Sequence, residues 1–154
     1  MLTFVPTAVD AEPAATLLGE YFTSRELGFT GTYQVVTPDP ALFTPPAGVF
    51  LVAEEDGVAV GCGGVRRIAD ADDGAVRLEV KHLWVRPSTR GKGYGRAVLD
   101  ALEEAAVALG ATRLVLDTNA SLEAAAGLYR AAGYQGVPAY NDNPNATNWY
   151  AKDV

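Results

Sequence analysis

The 154-residue sequence predicts a mixed α/β fold, on three observations. Two apolar, β-branched runs, Gly48 to Glu54 and Val58 to Ile68, flank Glu55-Asp56-Gly57, and an Asp-Gly pair between such runs is a strong hairpin signal. A further strand-like run, Ala75 to Val85, leads through the glycine-rich stretch Arg90 to Gly95 into an alanine- and leucine-rich helical run. A second strand-and-helix pair then occupies Thr112 to Ala132. An antiparallel hairpin followed by alternating strands and helices is the order of a sheet with helices packed against it.

Taken from the N-terminus, Leu2 to Ala8 offers a short first strand. Ala14, Ala15, Leu17, Leu18, Tyr21 and Phe22 recur at helical spacings, which predicts an amphipathic helix from Ala11 to Leu27. Between Gly28 and Pro46, the prolines of Thr37-Pro38-Asp39-Pro40 and Pro45-Pro46 rule out long regular structure, leaving a loop with one short helical turn that has the reach to lie over a site. The hairpin follows, and the acidic, glycine-terminated turn Ala69 to Gly74 adds a third antiparallel strand carrying Val76, Leu78, Val80, Leu83 and Val85. Pro87 ends that strand. The next helix carries Ala97, Val98, Leu99, Ala101, Leu102, Ala105, Ala106 and Leu109, and stops at Gly110. Thr112 to Thr118 is a buried strand, and Ser121 is the expected N-cap of a helix running to about Ala132, before Gly133. Two short strands, Gly136 to Tyr140 and Thr147 to Lys152, flank the turn-rich Asn141-Asp142-Asn143-Pro144-Asn145, which is either a lid over a site or a plain surface turn. Neither an internal repeat nor an interdomain linker interrupts the chain, so one domain over residues 1–154 is expected.

Composition narrows the function classes. Nineteen acidic against twelve basic residues give a net charge of −7, which repels a polyphosphate backbone and argues against nucleic acid as a partner. The lone cysteine, Cys62, allows no intrachain disulfide and no multi-cysteine metal site, so no metal is expected. Neither a secretion signal nor an uninterrupted apolar span is present, and the expected compartment is the reducing cytoplasm, away from membranes. A homodimer is the commonest assembly for such a domain.

The chemistry concentrates at Arg90-Gly91-Lys92-Gly93-Tyr94-Gly95. At a strand-to-helix junction the first backbone N–H groups of the helix are unpaired and its dipole favours an anion, so a glycine-rich loop there reads as a phosphate cradle. A dinucleotide fingerprint needs a third glycine at Arg96 or Val98, and the nucleoside-triphosphate loop needs Gly-Lys-Ser or Gly-Lys-Thr; neither is found. Residues 80 to 99 hold Lys81, Arg86, Arg90, Lys92 and Arg96 and no acid, a basic island in a chain with acidic excess. The alternative is a tight connection with solvated cations.

Arg90-x-x-Gly93-x-Gly95, preceded by Leu78 to Pro87 and followed by the alanine- and leucine-rich helix, resembles the acetyl-CoA-binding motif of the GCN5-related N-acetyltransferases (GNAT). Leu114 to Asn119, followed by Ala124 to Tyr134 with its Leu128-Tyr129-x-x-x-Gly133-Tyr134 signature, is similar to the next strand and helix of that family. The resemblance covers residues 48 to 140 and implies a mostly antiparallel mixed sheet splayed between its fourth and fifth strands and flanked by about four helices. It further implies an acetyl-CoA-dependent transfer of acetyl to a primary amine. The pantetheine arm is expected on main-chain groups around Leu83, Trp84 and Val85, and the pyrophosphate on Arg90, Gly91, Lys92, Gly93, Tyr94, Gly95 and Arg96.

Three further residues follow from the resemblance. Glu79 matches a position where many members place a carboxylate, and is the candidate base, directly or through water, against the alternative of an ordinary strand carboxylate facing solvent or pairing with Lys81. A base is useful because an amine of pKa near 10.4 is protonated at pH 7 and exposing its lone pair costs about 4.6 kcal/mol. Tyr129 is the candidate acid for the departing thiolate, against the alternative of a core aromatic. Asn119 either binds the pantetheine arm, orients that hydroxyl, or is a helix-entry turn residue. Strand alternation puts His82 with Leu78, Val80 and Trp84, opposite Glu79, and gives it a structural role. Cys62 reads as a small apolar side chain. Two competing readings are a coenzyme A-binding module without turnover, which Glu79 and Tyr129 argue against, and a nucleotide-binding protein.

Overall fold

A computed structural model describes residues 1–28, 31–120 and 122–154. Its strands are β1 (Leu2–Pro6), β2 (Gly48–Glu55), β3 (Val58–Arg67), β4 (Arg77–Val85), β5 (Arg113–Thr118), β6 (Gln135–Val137) and β7 (Asn148–Asp153). Its α-helices are α1 (Ala14–Gly28), α2 (Tyr94–Ala108) and α3 (Glu123–Ala131), with 3-10 turns at Pro40–Phe43 and Pro87–Thr89. About four helices were expected; among the described residues there are three, because the prolines after α1 limit that segment to the Pro40–Phe43 turn. The expected Ser121 cap lies outside the described residues, and Leu122, directly before α3, makes no side-chain cap.

The seven strands form one sheet in the order β1-β2-β3-β4-β5-β7-β6. All neighbours are antiparallel except β4 and β5. At the hairpin between β2 and β3, Asp56 (φ 52°) and Gly57 (φ 79°) both take the left-handed conformation that a tight two-residue turn needs. β7 enters between β5 and β6, so the last strand of the chain is not at the sheet edge.

One face of the sheet, with Leu51, Val65, Leu78, Val80 and Leu114, packs against Val98, Leu99 and Leu102 of α2 and Tyr129 of α3. The other face, with Phe50, Val52 and Cys62, packs against Leu17 and Leu18 of α1 and Phe43 of the 3-10 turn. Each fully buried leucine contributes about 1.5–3 kcal/mol of transfer free energy. Phe43 reaches the sheet because residue 64 is glycine: a Cβ there would lie 2.7 Å from the Phe43 ring.

A bulge in β4 decides the second half of that strand. Cys62 pairs with Trp84 and Gly64 with Lys81, so His82 and Leu83 together oppose Gly63. His82 takes φ 58°, an uncommon conformation for a residue other than glycine. Simple alternation is therefore broken, and the expected placement of His82 is corrected. Leu78 and Val80 face α2, whereas His82 lies among Tyr21, Phe22 and Phe43 on the α1 side, the side of Glu79.

Candidate functional site

Parallel pairing of β4 with β5 ends at Glu79 and Val115. Beyond it β4 stays on β3 and β5 stays on β7, so the two strands part and leave unpaired backbone edges facing one another. A cavity of about 970 Å³ opens there, walled by α1, the 33–43 loop, the far half of β4, the glycine loop, α3 and the 141–146 segment. Leu83, Trp84, Val85, Arg90, Gly91, Gly93, Tyr94, Gly95, Arg96 and Tyr129 line it; Glu79, Lys92 and Asn119 do not.

The glycine loop has the geometry its sequence required. Gly91 (φ 84°) and Gly93 (φ 78°) are left-handed, and Gly93 precedes α2 without a side-chain cap or an acid in the first turn, leaving the helix's positive end open. A Cβ on Gly93 would meet nothing within 4 Å, so its constraint is conformational. The basic island divides into separate tasks. Arg90 lies over the Trp84 ring at 5.1 Å, Lys92 is 3.8 Å from Glu55, and Arg96 pairs with Asp100. Arg86 makes a two-point ion pair with Glu20 of α1, whose carboxyl it holds below the usual range, and Glu20 also accepts from Trp84 Nε1.

Glu79 is 1 % exposed and at the centre of a charged network. Its Oε1 accepts from Arg66 Nε at 3.0 Å and Nη2 at 2.9 Å. Its Oε2 accepts from the Tyr140 hydroxyl at 2.6 Å and lies 3.5 Å from Lys81 Nζ. Lys81 also binds Asp117 at 3.0 Å, and Asn141 Nδ2 donates to Asp117 at 2.7 Å. Burial alone would raise the Asp117 carboxyl, but the Lys81 charge and the Asn141 and Lys81 hydrogen bonds outweigh it and hold the group below its ordinary range. Arg66, Lys81, Asp117 and Asn141 all line the cavity, in front of Glu79.

Tyr129 is 8 % exposed and packs edge-on to Tyr134. Burial pushes its hydroxyl up to about 12; the Arg25 charge lowers it and the Asp117 charge raises it. Burial, with the Lys81 and Arg66 charges, pushes His82 down to about 3, so the imidazole is neutral at pH 7 and its Nδ1 is buried without a partner. Burial raises the Cys62 thiol to about 12, in keeping with a small apolar side chain rather than a nucleophile. Asn119 Nδ2 donates to the Asn145 carbonyl at 3.1 Å, and Asn145 joins the 141–146 segment to Gln34 through two hydrogen bonds of 2.9 and 2.7 Å. The Asn-rich segment is therefore a wall of the cavity rather than a free turn.

Sequence reasoning missed Arg66, Asp117, Tyr140 and Asn141 as members of this network. The available signal was a charge on each of three apolar strands, since a buried charge demands a partner. It was not visible that Glu79, Arg66 and Asp117 would meet. Among the described residues no group of His, Cys, Asp and Glu is arranged to hold a metal, and no helix is long and apolar enough to cross a membrane.

Comparison with known proteins follows the same lines. The model of the Acetyltransferase (GNAT) family matches residues 16–134. An uncharacterized N-acetyltransferase of Schizosaccharomyces pombe is 33% identical over 140 residues, covering 88% of this chain and 82% of that protein. A GNAT-family acetyltransferase structure from Staphylococcus aureus superposes with a TM-score of 0.79 at 14% identity, covering 99% of both chains. A phosphinothricin acetyltransferase from Sinorhizobium meliloti, solved in complex with AcCoA, gives 0.68 at 20% identity, covering 99% of this chain and 88% of that one.

Proposed function

The chain belongs to the acetyltransferase (GNAT) family, and on that premise we propose that it transfers acetyl from acetyl-CoA to a primary amine by direct attack in a ternary complex. One observation carries this reading: β4 and β5 part beside an uncapped, glycine-led helix, and Tyr129 lies on the wall of the opening.

The residues fit the donor. The open end of α2, with Gly91 and Gly93 holding the loop clear and Arg90 and Arg96 on the cavity wall, would receive the diphosphate. Main-chain groups around Leu83 and Val85, on the edge of β4 past its last β5 partner, would hold the pantetheine arm, as a strand edge holds an extended ligand. Lys92 adds positive charge from outside the cavity, and Asn119 steadies the Asn145 wall. Acetyl-CoA supplies the activated thioester.

The acceptor's nitrogen lone pair attacks the thioester carbonyl, the new C–N bond replaces the C–S bond, and the sulfur leaves with its electron pair. Before attack the acceptor's ammonium form gives one proton to solvent, at a cost of about 4.6 kcal/mol for a pKa of 10.4, and the nitrogen gives a second proton to solvent as the amide forms. Glu79 is a positioning residue in this step, because it lies behind Arg66, Lys81 and Asn141 and acts through them and through water. Tyr129 stays protonated at neutral pH and donates to the leaving sulfur. Complete proton transfer from a hydroxyl near 12 to a thiolate whose thiol lies near 8.5 is uphill by about 5 kcal/mol, so its contribution is the hydrogen bond.

The test is release of coenzyme A thiol from acetyl-CoA with a broad amine panel. Amine-dependent release is the expected result; coenzyme A binding with no turnover on any amine would leave a silent binding module instead.

A further inference from the structure

Among the described residues, two cations on the cavity wall have no carboxylate partner: Arg90, which lies beside the glycine loop over Trp84 and donates from Nε to the Val85 carbonyl, and Arg25. Arg25, in the last turn of α1, lines the cavity, and its guanidinium lies over the Tyr33 ring at 5.5 Å. Among the described residues it makes neither an ion pair nor a hydrogen bond, and its Nε is buried without a partner. The other cations near the network differ. Arg66 is held by Glu79, and Lys81 by Asp117 and Glu79. A guanidinium with an unsatisfied buried nitrogen is costly, and a carboxylate is the group whose two oxygens match its planar donors.

The position of Arg25 relates this charge to the transfer reaction. Arg25, Tyr129 and Asp117 all line this one cavity, Asp117 already held by Lys81 and Asn141, and the Arg25 and Asp117 charges act on the Tyr129 hydroxyl in opposite senses. An acceptor placed beside Tyr129 would present an amine near Asp117 and an anion near Arg25. Aromatic side chains of Tyr21, Phe22, Tyr33 and Phe43 line the space around them, which suits an organic body rather than a second charge. In a chain of net charge −7, an anionic group is drawn to a cavity only where a cation is uncompensated.

We infer that the acceptor is an amine that also carries a carboxylate, an amino acid in the general sense, and that Arg25 is the residue that receives the carboxylate; this rests on the acetyl-transfer reading above. Arg25 acts on acceptor binding and not on the thioester.

The full-length chain, saturated with free coenzyme A, is titrated calorimetrically with the twenty proteinogenic amino acids, the carboxamides of those that bind, and spermidine. The same amines are assayed for thiol release from acetyl-CoA. At least one amino acid binds and is acetylated, its carboxamide binds about tenfold or more weakly, and Arg25→Met raises the acceptor KM by about tenfold to a hundredfold, as expected for loss of a charge-assisted pair. Arg25→Lys recovers part of that loss, and retained coenzyme A binding certifies the fold of both variants. The inference is overturned if no amino acid binds, if acids and carboxamides bind alike, if spermidine is preferred, or if Arg25→Met lowers kcat with the acceptor KM unchanged. Arg25-dependent amino acid binding without thiol release would remove the transfer reading and leave the carboxylate receptor standing.

Discussion

Tyr129 and His82 are both buried on the cavity wall, and burial moves their protons in opposite directions of consequence. Raised to about 12, Tyr129 keeps its proton through the whole neutral range. Tyr129→Phe is therefore expected to lower kcat by about tenfold to a hundredfold, the value of a hydrogen bond to a charged group, with acetyl-CoA affinity little changed; steady-state kinetics and calorimetry measure the two separately. For His82 the folded value of about 3 lies below the unfolded value of about 6.5. Between those values the unfolded chain binds a proton that the native state does not, so stability falls as pH falls below about 6.5 and continues to fall towards 3. From pH 7 to pH 5 the loss is about 2 kcal/mol. His82→Asn keeps a residue tolerant of the left-handed backbone and removes the titration, so urea unfolding of this variant should show a pH 7 to 5 difference smaller by about that amount. An unchanged difference would mean that His82 binds its proton as readily in the native state as in the unfolded chain.

At the scale of elements, two glycine positions define how the chain is assembled around the cavity. Gly93 holds φ 78° at the entry to α2, and a β-branched residue is strained there whatever the space around it. Gly93→Val should weaken acetyl-CoA binding by at least about tenfold in calorimetry through misdirected N–H groups, while far-UV circular dichroism stays native. Gly64 acts through packing. Its added Cβ would lie 2.7 Å from Phe43 and 2.9 Å from Phe50, so Gly64→Ala should cost about 1–3 kcal/mol of unfolding free energy by overpacking where the 3-10 turn meets the sheet. The 33–43 loop and the 141–146 segment are fastened to each other by Gln34 and Asn145. Asn145, 8 % exposed, thus joins two segments far apart in sequence into one wall.

For the molecule as a whole, the sheet is one structure with a gap built into it. A ligand that enters between β4 and β5 binds the native state alone, because the gap exists only when β4 is held by β3 and β5 by β7. Acetyl-CoA at a hundred times its Kd is then expected to add about 2.7 kcal/mol to the unfolding free energy and to raise Tm accordingly. ATP and NAD, for which the loop lacks the required residues, should leave Tm unchanged in the same scan.

The fold was legible wherever a local rule sufficed. The hairpin turn at Asp56-Gly57, the glycine loop leading into α2, and the helix stop at Gly110 each follow from conformations that few residues adopt. Tyr129 was recognisable because it stands in a motif; whether it faced a cavity was not. The side of the sheet on which His82 lies was misread, since the bulge that reverses it arises from pairing with Gly63 on a strand about twenty residues away. Glu79 was visible as a carboxylate on an apolar strand, but its enclosure by Arg66 and Tyr140 was not.

By itself the sequence determined the order of strands and helices, the glycine-led entry to α2 and the family, because backbone propensity and motif spacing act over a few neighbouring residues. Only the tertiary structure decided that Glu79 lies behind the cavity, that Asn145 closes its wall, and that Arg25 faces it unpaired. Each of these depends on polar groups placed across strands and loops, where burial and distance set the energy and no local pattern records them.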